Sequence, residues 1–247
     1  MQDATPSTTF YIDSGFRNDY KPNNNNSNLR NMAEQMVTVL DRENTLLNRF
    51  IAQMRDVHVQ GDSMRFRRNL ERAGEVMAYE ISKTLEYKPK LIETPLGEAE
   101  VMMPDDEIVI ATILRAGLPF HQGFLNYFDN AQNAFVSAYR KYRKDNSFNI
   151  KVEYISACEL TGKTLIISDP MLATGGSAID AITMIKKHGG RNIKFMCIIA
   201  APEGVKALHE AHPDVQIYIG HLDRCLNEHA YICPGLGDAG DRIFGTK

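Results

Sequence analysis

The chain has 247 residues, 43% hydrophobic and 24% charged, with a net charge of −3. That is the make-up of an ordinary globular protein long enough to bury a sizeable core; it gives no charge reason to expect a nucleic-acid partner and holds no apolar run able to span a membrane. The four cysteines, Cys158, Cys197, Cys225 and Cys233, have neither CxxC spacing nor adjoining histidines, and "MQDATPSTTF" lacks the regions of a signal peptide, so a cytoplasmic protein with reduced thiols is expected.

Residues 1–28, with the polar run "YKPNNNNSN", read as a flexible extension ahead of a single domain over 29–247. The segment 29–88 reads as N-terminal helices. One helix is expected from about Asn44 to Asp56. A longer one starts at Asp62 or Ser63, either of which caps it, and runs to about Leu85 on the stripe Phe66, Leu70, Ala73, Met77, Ile81 and Leu85. "KLIETPLGEAEVMM" then reads as a hairpin around Pro95 and Gly97.

From Glu107 the pattern changes. "EIVIATI" and "AFVSAY" read as strands, and "IKVEYIS" as the returning strand of a β-arm over about 139–160. "TLIIS" is a strand leading to a helix near Gly175, "IKFMCIIAA" a strand, "PEGVKALHEAH" a helix and "VQIYIG" a strand. Buried strands alternating with helices predict an α/β fold, a mainly parallel sheet flanked by helices, with ligands held beyond the C-terminal strand ends. His209 and His212 near a helix end are expected to be surface or capping residues, not zinc ligands.

"DPMLATGGS", Asp169–Ser177, follows the strand "TLIIS" and precedes a helix. Asp169 at the strand end presents a carboxylate to the crevice, Pro170 stops strand pairing, and Ala173-Thr174-Gly175-Gly176-Ser177 turns the chain into the helix. Small residues let backbone amides approach an anion at a helix start, and Thr174 and Ser177 add hydroxyls. Alone, TGGS is better explained by a capped helix after a glycine turn. The order strand, acid, turn, helix favours a sugar phosphate, with its phosphate on the turn and its hydroxyls on the carboxylate. There is no Walker A or GxGxxG pattern.

"DPMLATGGS" resembles the phosphoribosyl-diphosphate motif of the type I phosphoribosyltransferases, in the single-acid, Pro-Met form of the uracil phosphoribosyltransferase family. "ILRAGLP" at 113–119 resembles the family's diphosphate loop and "YR" at 139–140 its second arginine site. "AAPEGV", "AHPDV" and "LNEHAYICPGLGDAGDRIFGTK" follow the family to the C-terminus. The resemblance covers roughly 36–247 and is strongest over 165–247. The extension over 1–28 and the arm "RKYRKDNSFNIKVEYISACEL" depart from the family, and Ala230 stands where a Gly is common.

The resemblance implies a type I phosphoribosyltransferase fold with a base-binding loop region over 225–247. It implies transfer of the phosphoribosyl group from phosphoribosyl diphosphate to uracil, giving UMP and diphosphate in pyrimidine salvage. It puts the sugar phosphate on Asp169, Pro170, Met171, Leu172 and the turn Ala173–Ser177, and the diphosphate on Arg115 and Arg140, with Asp238 on that side. Arg115, Asp169 and Asp238 are the catalytic candidates, although "RKYRK" also reads as a solvated basic loop and Asp238 as a turn residue. A cis peptide is implied near Arg115-Ala116-Gly117. Uracil falls to Tyr231, Ile232, Gly237, Asp238 and Ala239, mainly through backbone groups; Tyr231 is either a pocket wall or a core residue. The implied cofactor is Mg²⁺ on the diphosphate with no direct protein ligand, Asp238 acting through water at most. A homo-oligomer is expected, a GTP effector is left open, and no nucleic acid or membrane partner is expected. A nucleotide-sensing regulator of the same fold is the alternative from another class, and a phosphoribosyltransferase for another base the alternative enzyme. The first should lose Arg115, Asp169 or Asp238, and the second should carry another acid beside Asp169; neither is found.

Overall fold

The computed structural model describes residues 36–142 and 148–245, with side chains described throughout those spans except over 138–153. The 1–28 extension and the tip of the arm lie outside the described residues.

Within the segment read as helical, Val37–Val39 instead forms a strand, β1, followed by a single 3-10 turn at Leu40–Arg42. The alternating, β-branched "VTV" pairs in parallel with an open sheet edge, which a run this short does better than nucleate a helix. Helix α1 (Leu46–Arg55) is capped by Thr45, whose hydroxyl accepts from the Leu47 N–H at 3.2 Å. Helix α2 (Ser63–Ser82) is capped by Asp62, which accepts from the Arg65 N–H at 3.0 Å, and its stripe Phe66, Leu70, Ala73, Met77 and Ile81 is buried as expected. Leu85 is also buried, but beyond the helix. Bonds from Lys83, Thr84 and Leu85 to carbonyls three residues back tighten the chain and end α2 early.

The hairpin of β2 (Tyr87–Thr94) and β3 (Gly97–Pro104) forms its own two-stranded sheet with most positions exposed. Then come β4 (Ile108–Leu114), α3 (Leu118–Leu125), β5 (Gln132–Tyr142), β6 (Phe148–Ser156), β7 (Thr164–Ser168), the short β8 (Met171–Leu172), α4 (Gly176–Lys187), β9 (Asn192–Ala200), α5 (Pro202–Ala211) and β10 (Gln216–Leu222). Helix α3, with a proline in its first turn, was not foreseen in "LRAGLPF".

Among the described residues the main sheet has eight strands in the order β1-β10-β9-β7-β4-β5-β6, with β8 joined to β9. All pair in parallel except β6, which returns antiparallel along β5 as the arm. The mainly parallel sheet flanked by helices is therefore present. Its strands read as unbroken apolar runs because both faces are covered. Ile110, Ile166, Met196 and Ile198 face a core shared with α1, α2 and α3. Their chain neighbours Val109, Ala111, Leu165, Ile167, Phe195 and Cys197 face a second core shared with α4 and α5. Each buried Val, Leu, Ile, Met or Phe among them contributes about 1.5–3 kcal/mol of transfer free energy against the entropy of ordering it. His212 does cap α5, but its side chain is buried rather than on the surface: Nε2 lies 3.1 Å from both Thr183 Oγ1 and the Ile179 carbonyl.

Candidate active site

The C-terminal ends of β4 and β7 lie side by side, and the loops after them are the ones the sequence singles out. Asp169 follows the last residue of β7, with its N–H bonded to the Met196 carbonyl of β9 at 3.1 Å. Part of its side chain still reaches solvent on the crevice side, yet packed neighbours surround the carboxylate. This burial pushes its pKa up to about 7, against one weak bond from the Met171 N–H at 3.4 Å. Pro170 does not end the pairing, as the sequence suggested. It only interrupts it: lacking an N–H it still accepts, its carbonyl bonding to the N–H groups of Ile198 and Ile199, and Met171–Leu172 resume a parallel ladder with β9. Leu172 is buried in the core, whereas Met171 is only partly covered.

The turn Ala173–Ser177 enters α4 through Gly175, whose φ of 84° is left-handed, and no side chain caps the first turn of the helix. The leading N–H groups are thus left to a ligand or water. Thr174 is exposed and Ser177 half-buried. The turn rests on α5 at Gly204, where a Cβ would stand 2.2 Å from the Ala173 carbonyl oxygen.

The C-terminal region supplies the facing wall. The strands β11 (Cys225–Leu226) and β12 (Ile232–Cys233) pair antiparallel. Between them Asn227 Oδ1 accepts from the N–H groups of His229 and Tyr231 at 3.0 and 2.9 Å, and Ala230 takes a left-handed φ of 61°. Tyr231 is 48% exposed, so it is a wall and not a core residue. Ile232 is buried in the core, which leaves only its backbone for a ligand. Gly237, at φ 82°, leads to Asp238, whose Oδ1 accepts from the Asp241 N–H at 3.1 Å and so caps α6 (Ala239–Phe244). Asp238 is thus a turn residue that also lines the cleft described below.

These segments enclose a cleft of about 150 Å³. Its walls are Ala116 from the loop after β4, then Asp169, Pro170, Met171 and Ala173, and opposite them residues 229–231 and 238–240. Arg115 follows a cis Leu114–Arg115 peptide, close to where one was expected. It is exposed beside the cleft rather than lining it, and its guanidinium lies 5.6 Å from the Phe244 ring of α6. The backbone of Arg140 lies on β5 opposite Ile150; its side chain is outside those described. Ala116, His229, Ala230 and Gly240 line the cleft without having been singled out as contacts, although "RAG" and "NEHAYICPGLGDAG" pointed to their neighbourhoods. A larger depression of about 420 Å³ lies at the far end of α4, lined by Lys186, Lys187 and Arg191 among others, with Lys186 bonded to Asp214 at 2.6 Å. The smaller cleft is the better candidate, because the strand-end acid, the start of the turn at Ala173 and the C-terminal loop converge on it.

Residues 41–246 match the family model for uracil phosphoribosyltransferase. A Porphyromonas gingivalis protein named uracil phosphoribosyltransferase is 54% identical over 210 residues, covering 84% of this chain and 97% of its own. A Staphylococcus aureus protein of the same name is 45% identical over 208 residues, covering 83% and 97%. Among solved structures, the AQ2163 protein of Aquifex aeolicus superposes with a TM-score of 0.77 at 34% identity, covering 86% of this chain and 99% of that one. With the same order of strand, acid, turn and helix that the sequence displays, the chain belongs to the uracil phosphoribosyltransferase family.

Proposed function

We infer that the protein transfers the 5-phosphoribosyl group of phosphoribosyl diphosphate to uracil, forming UMP and diphosphate. The observation that carries this is the cleft in which Asp169 and Ala173, the first residue of the 173–177 turn, face residues 229–231 and 238–240, in a chain of this family. Uracil N1 forms a bond to the anomeric carbon, the carbon–oxygen bond to diphosphate breaks, and the N1 proton is released. The ribose carries oxocarbenium character in between, so the protein must position two reactants and offset charge; no covalent nucleophile is needed.

In this reading the uncapped start of α4 and the hydroxyls of Thr174 and Ser177 hold the 5′-phosphate, and Asp169 holds the ribose hydroxyls. Arg115 and Arg140 take the leaving diphosphate, which suits a planar, always-charged donor fork. Stacking on Phe244 keeps Arg115 at the rim of the cleft, where a diphosphate longer than the cleft would emerge. Uracil presents acceptor, donor and acceptor along one edge, and the backbone of 231–239 can answer that pattern without side chains. Among the described residues no three His, Cys, Asp or Glu side chains gather as a metal cage. A magnesium ion bound with the diphosphate would neutralise the leaving group, with Asp238 of the cleft as its outer partner. A cytoplasmic location and a homo-oligomer belong to the same reading. The hairpin of β2 and β3, with Leu91, Leu96 and Met102 exposed, offers an apolar surface for a second copy.

Incubation with uracil, phosphoribosyl diphosphate and Mg²⁺ should yield UMP, should stop on chelation, and should fail with cytosine. Cytosine places a donor where the backbone offers a donor and lacks the N3 hydrogen, two mismatches worth about 1–3 kcal/mol each. No UMP from the full chain, or equal rates with cytosine, would overturn this reading.

A further inference from the structure

Cys225 and Cys233 stand directly opposite each other in the antiparallel β11–β12 pair, and both are free and only partly buried. Opposed residues of such a ladder present their side chains on one face, with α-carbons about 4.5–5.5 Å apart. That lies within the roughly 4.4–6.8 Å a disulfide bridges. In the reduced protein the Cys233 thiol instead donates along its own strand to the Tyr231 carbonyl at 3.7 Å. The other two cysteines are placed differently. Cys197 is fully buried in the sheet, where burial pushes its thiol pKa well up, and Cys158 follows β6, away from this pair. The chain between the opposed cysteines, residues 226–232, carries His229, Ala230 and Tyr231, one wall of the cleft.

We propose that Cys225 and Cys233 are a redox modification site: they close to a reversible disulfide that clamps the turn carrying Tyr231. The oxidant is a hydroperoxide. One thiolate attacks the peroxide oxygen, giving a sulfenic acid and water; the second thiolate displaces hydroxide from that sulfur. Two thiols thereby lose two hydrogens and two electrons, and one hydrogen peroxide becomes two waters. A dithiol reductant reverses the step. Closure removes the thiol donor from the Tyr231 carbonyl and draws the two strands onto one sulfur–sulfur bond. The turn is held in one conformation, and Tyr231 shifts at the cleft wall. The consequence for base binding rests on the functional reading above; the disulfide itself does not.

The test treats the full chain with hydrogen peroxide, alkylates the remaining thiols and maps peptides by mass without reduction. The expected result is one cross-link between the peptides of Cys225 and Cys233, lighter by two hydrogens and reversed by dithiothreitol. Cys225→Ser and Cys233→Ser should each abolish it and Cys158→Ser should leave it. Hydrogen exchange over 226–232 should slow in the oxidised form. The KM for uracil should rise about tenfold, the worth of one displaced hydrogen-bonded contact, while that for phosphoribosyl diphosphate moves much less. Separate sulfinic acids on the two cysteines without a cross-link would overturn the site, and a cross-link that leaves exchange unchanged would overturn the clamp. A reduced protein that makes no UMP would sink the functional reading but leave the mass and exchange results to decide this one.

Discussion

In the proposed function Asp169 holds ribose hydroxyls as a carboxylate, yet its packed surroundings disfavour the charge and raise its pKa to about 7. The conflict has two readable consequences. The pH dependence of kcat/KM reports the free enzyme, so the value for phosphoribosyl diphosphate should fall as pH drops through about 7. Asp169→Asn should lose that limb and also run about tenfold to a hundredfold slower, the rate equivalent of roughly 1.5–3 kcal/mol for a lost charged hydrogen bond. The sign for stability is the reverse. A carboxyl whose folded pKa lies above its unfolded value contributes stability that is fully present below the unfolded value and is lost as pH rises through about 7. The melting temperature of Asp169→Asn should therefore gain on the parent as pH rises from about 3.8 to about 7, and keep that gain above 7. An Asn variant with undiminished kcat/KM, or a melting difference that ignores pH, would remove Asp169 from this role.

The elements around the site divide into those with a local cause and those with a distant one. The strand "TLIIS", the helix after Gly175 and the stripe of α2 were legible because apolar period and turn chemistry are written within a few residues. The ladder of Val37–Val39 with β10 was not, because its partner is about 180 residues away and only the assembled sheet creates the edge it fills. Helix α3, beginning three residues after Arg115, was masked by the glycine and proline of "RAGLP". Ala230 shows the converse: its departure from the usual Gly was visible in the sequence, but only its φ of 61° explains why Gly is common there. In the sequence Gly204 is simply one position of the helix "PEGVKALHEAH". Its lack of a side chain lets α5 touch the carbonyls of Leu172 and Ala173, and so sets the height of the 173–177 turn. Gly204→Ala should push that turn outward. Overpacking of this kind costs about 1–3 kcal/mol, so calorimetry should find weaker binding of ribose 5-phosphate and scanning should find a lower melting temperature. Binding and melting both unchanged would mean that the turn does not depend on this contact.

Across the whole molecule, a line of charges ties the sheet edge to the route into the C-terminal loop. Asp41 follows β1, His221 lies near the end of β10, Asp223 comes two residues later, and Arg55 ends α1. His221 Nδ1 bonds Asp41 and its Nε2 lies 3.4 Å from Asp223, which Arg55 also engages. The Asp223 N–H in turn bonds the Ala200 carbonyl of β9 at 2.8 Å, and the chain runs on directly into β11. Hydrogen bonds that the ring donates to Asp223 and then to Asp41 raise the His221 pKa to about 9, against its burial and the repulsion of Arg55. Burial acts to raise Asp223, but its bonds to His221 and Arg55 prevail and hold it below the usual carboxylate range. The two ends of the pH scale are thereby separated. The His221 contribution is fully present below 6.5 and is lost as pH rises through about 9, whereas that of Asp223 is present above 3.8 and is lost as pH falls through its lowered value. His221→Gln keeps a donor but no charge. It should be less stable than the parent at neutral pH, and the gap should close as pH passes about 9, as read from denaturant midpoints. Asp169 titrates near 7 in both proteins, so its effect cancels from that difference. A gap that stays constant across this range would mean that His221 packs at the sheet edge without its charge contributing, and that some other contact fastens β1 and α1 to the strand that feeds the C-terminal loop.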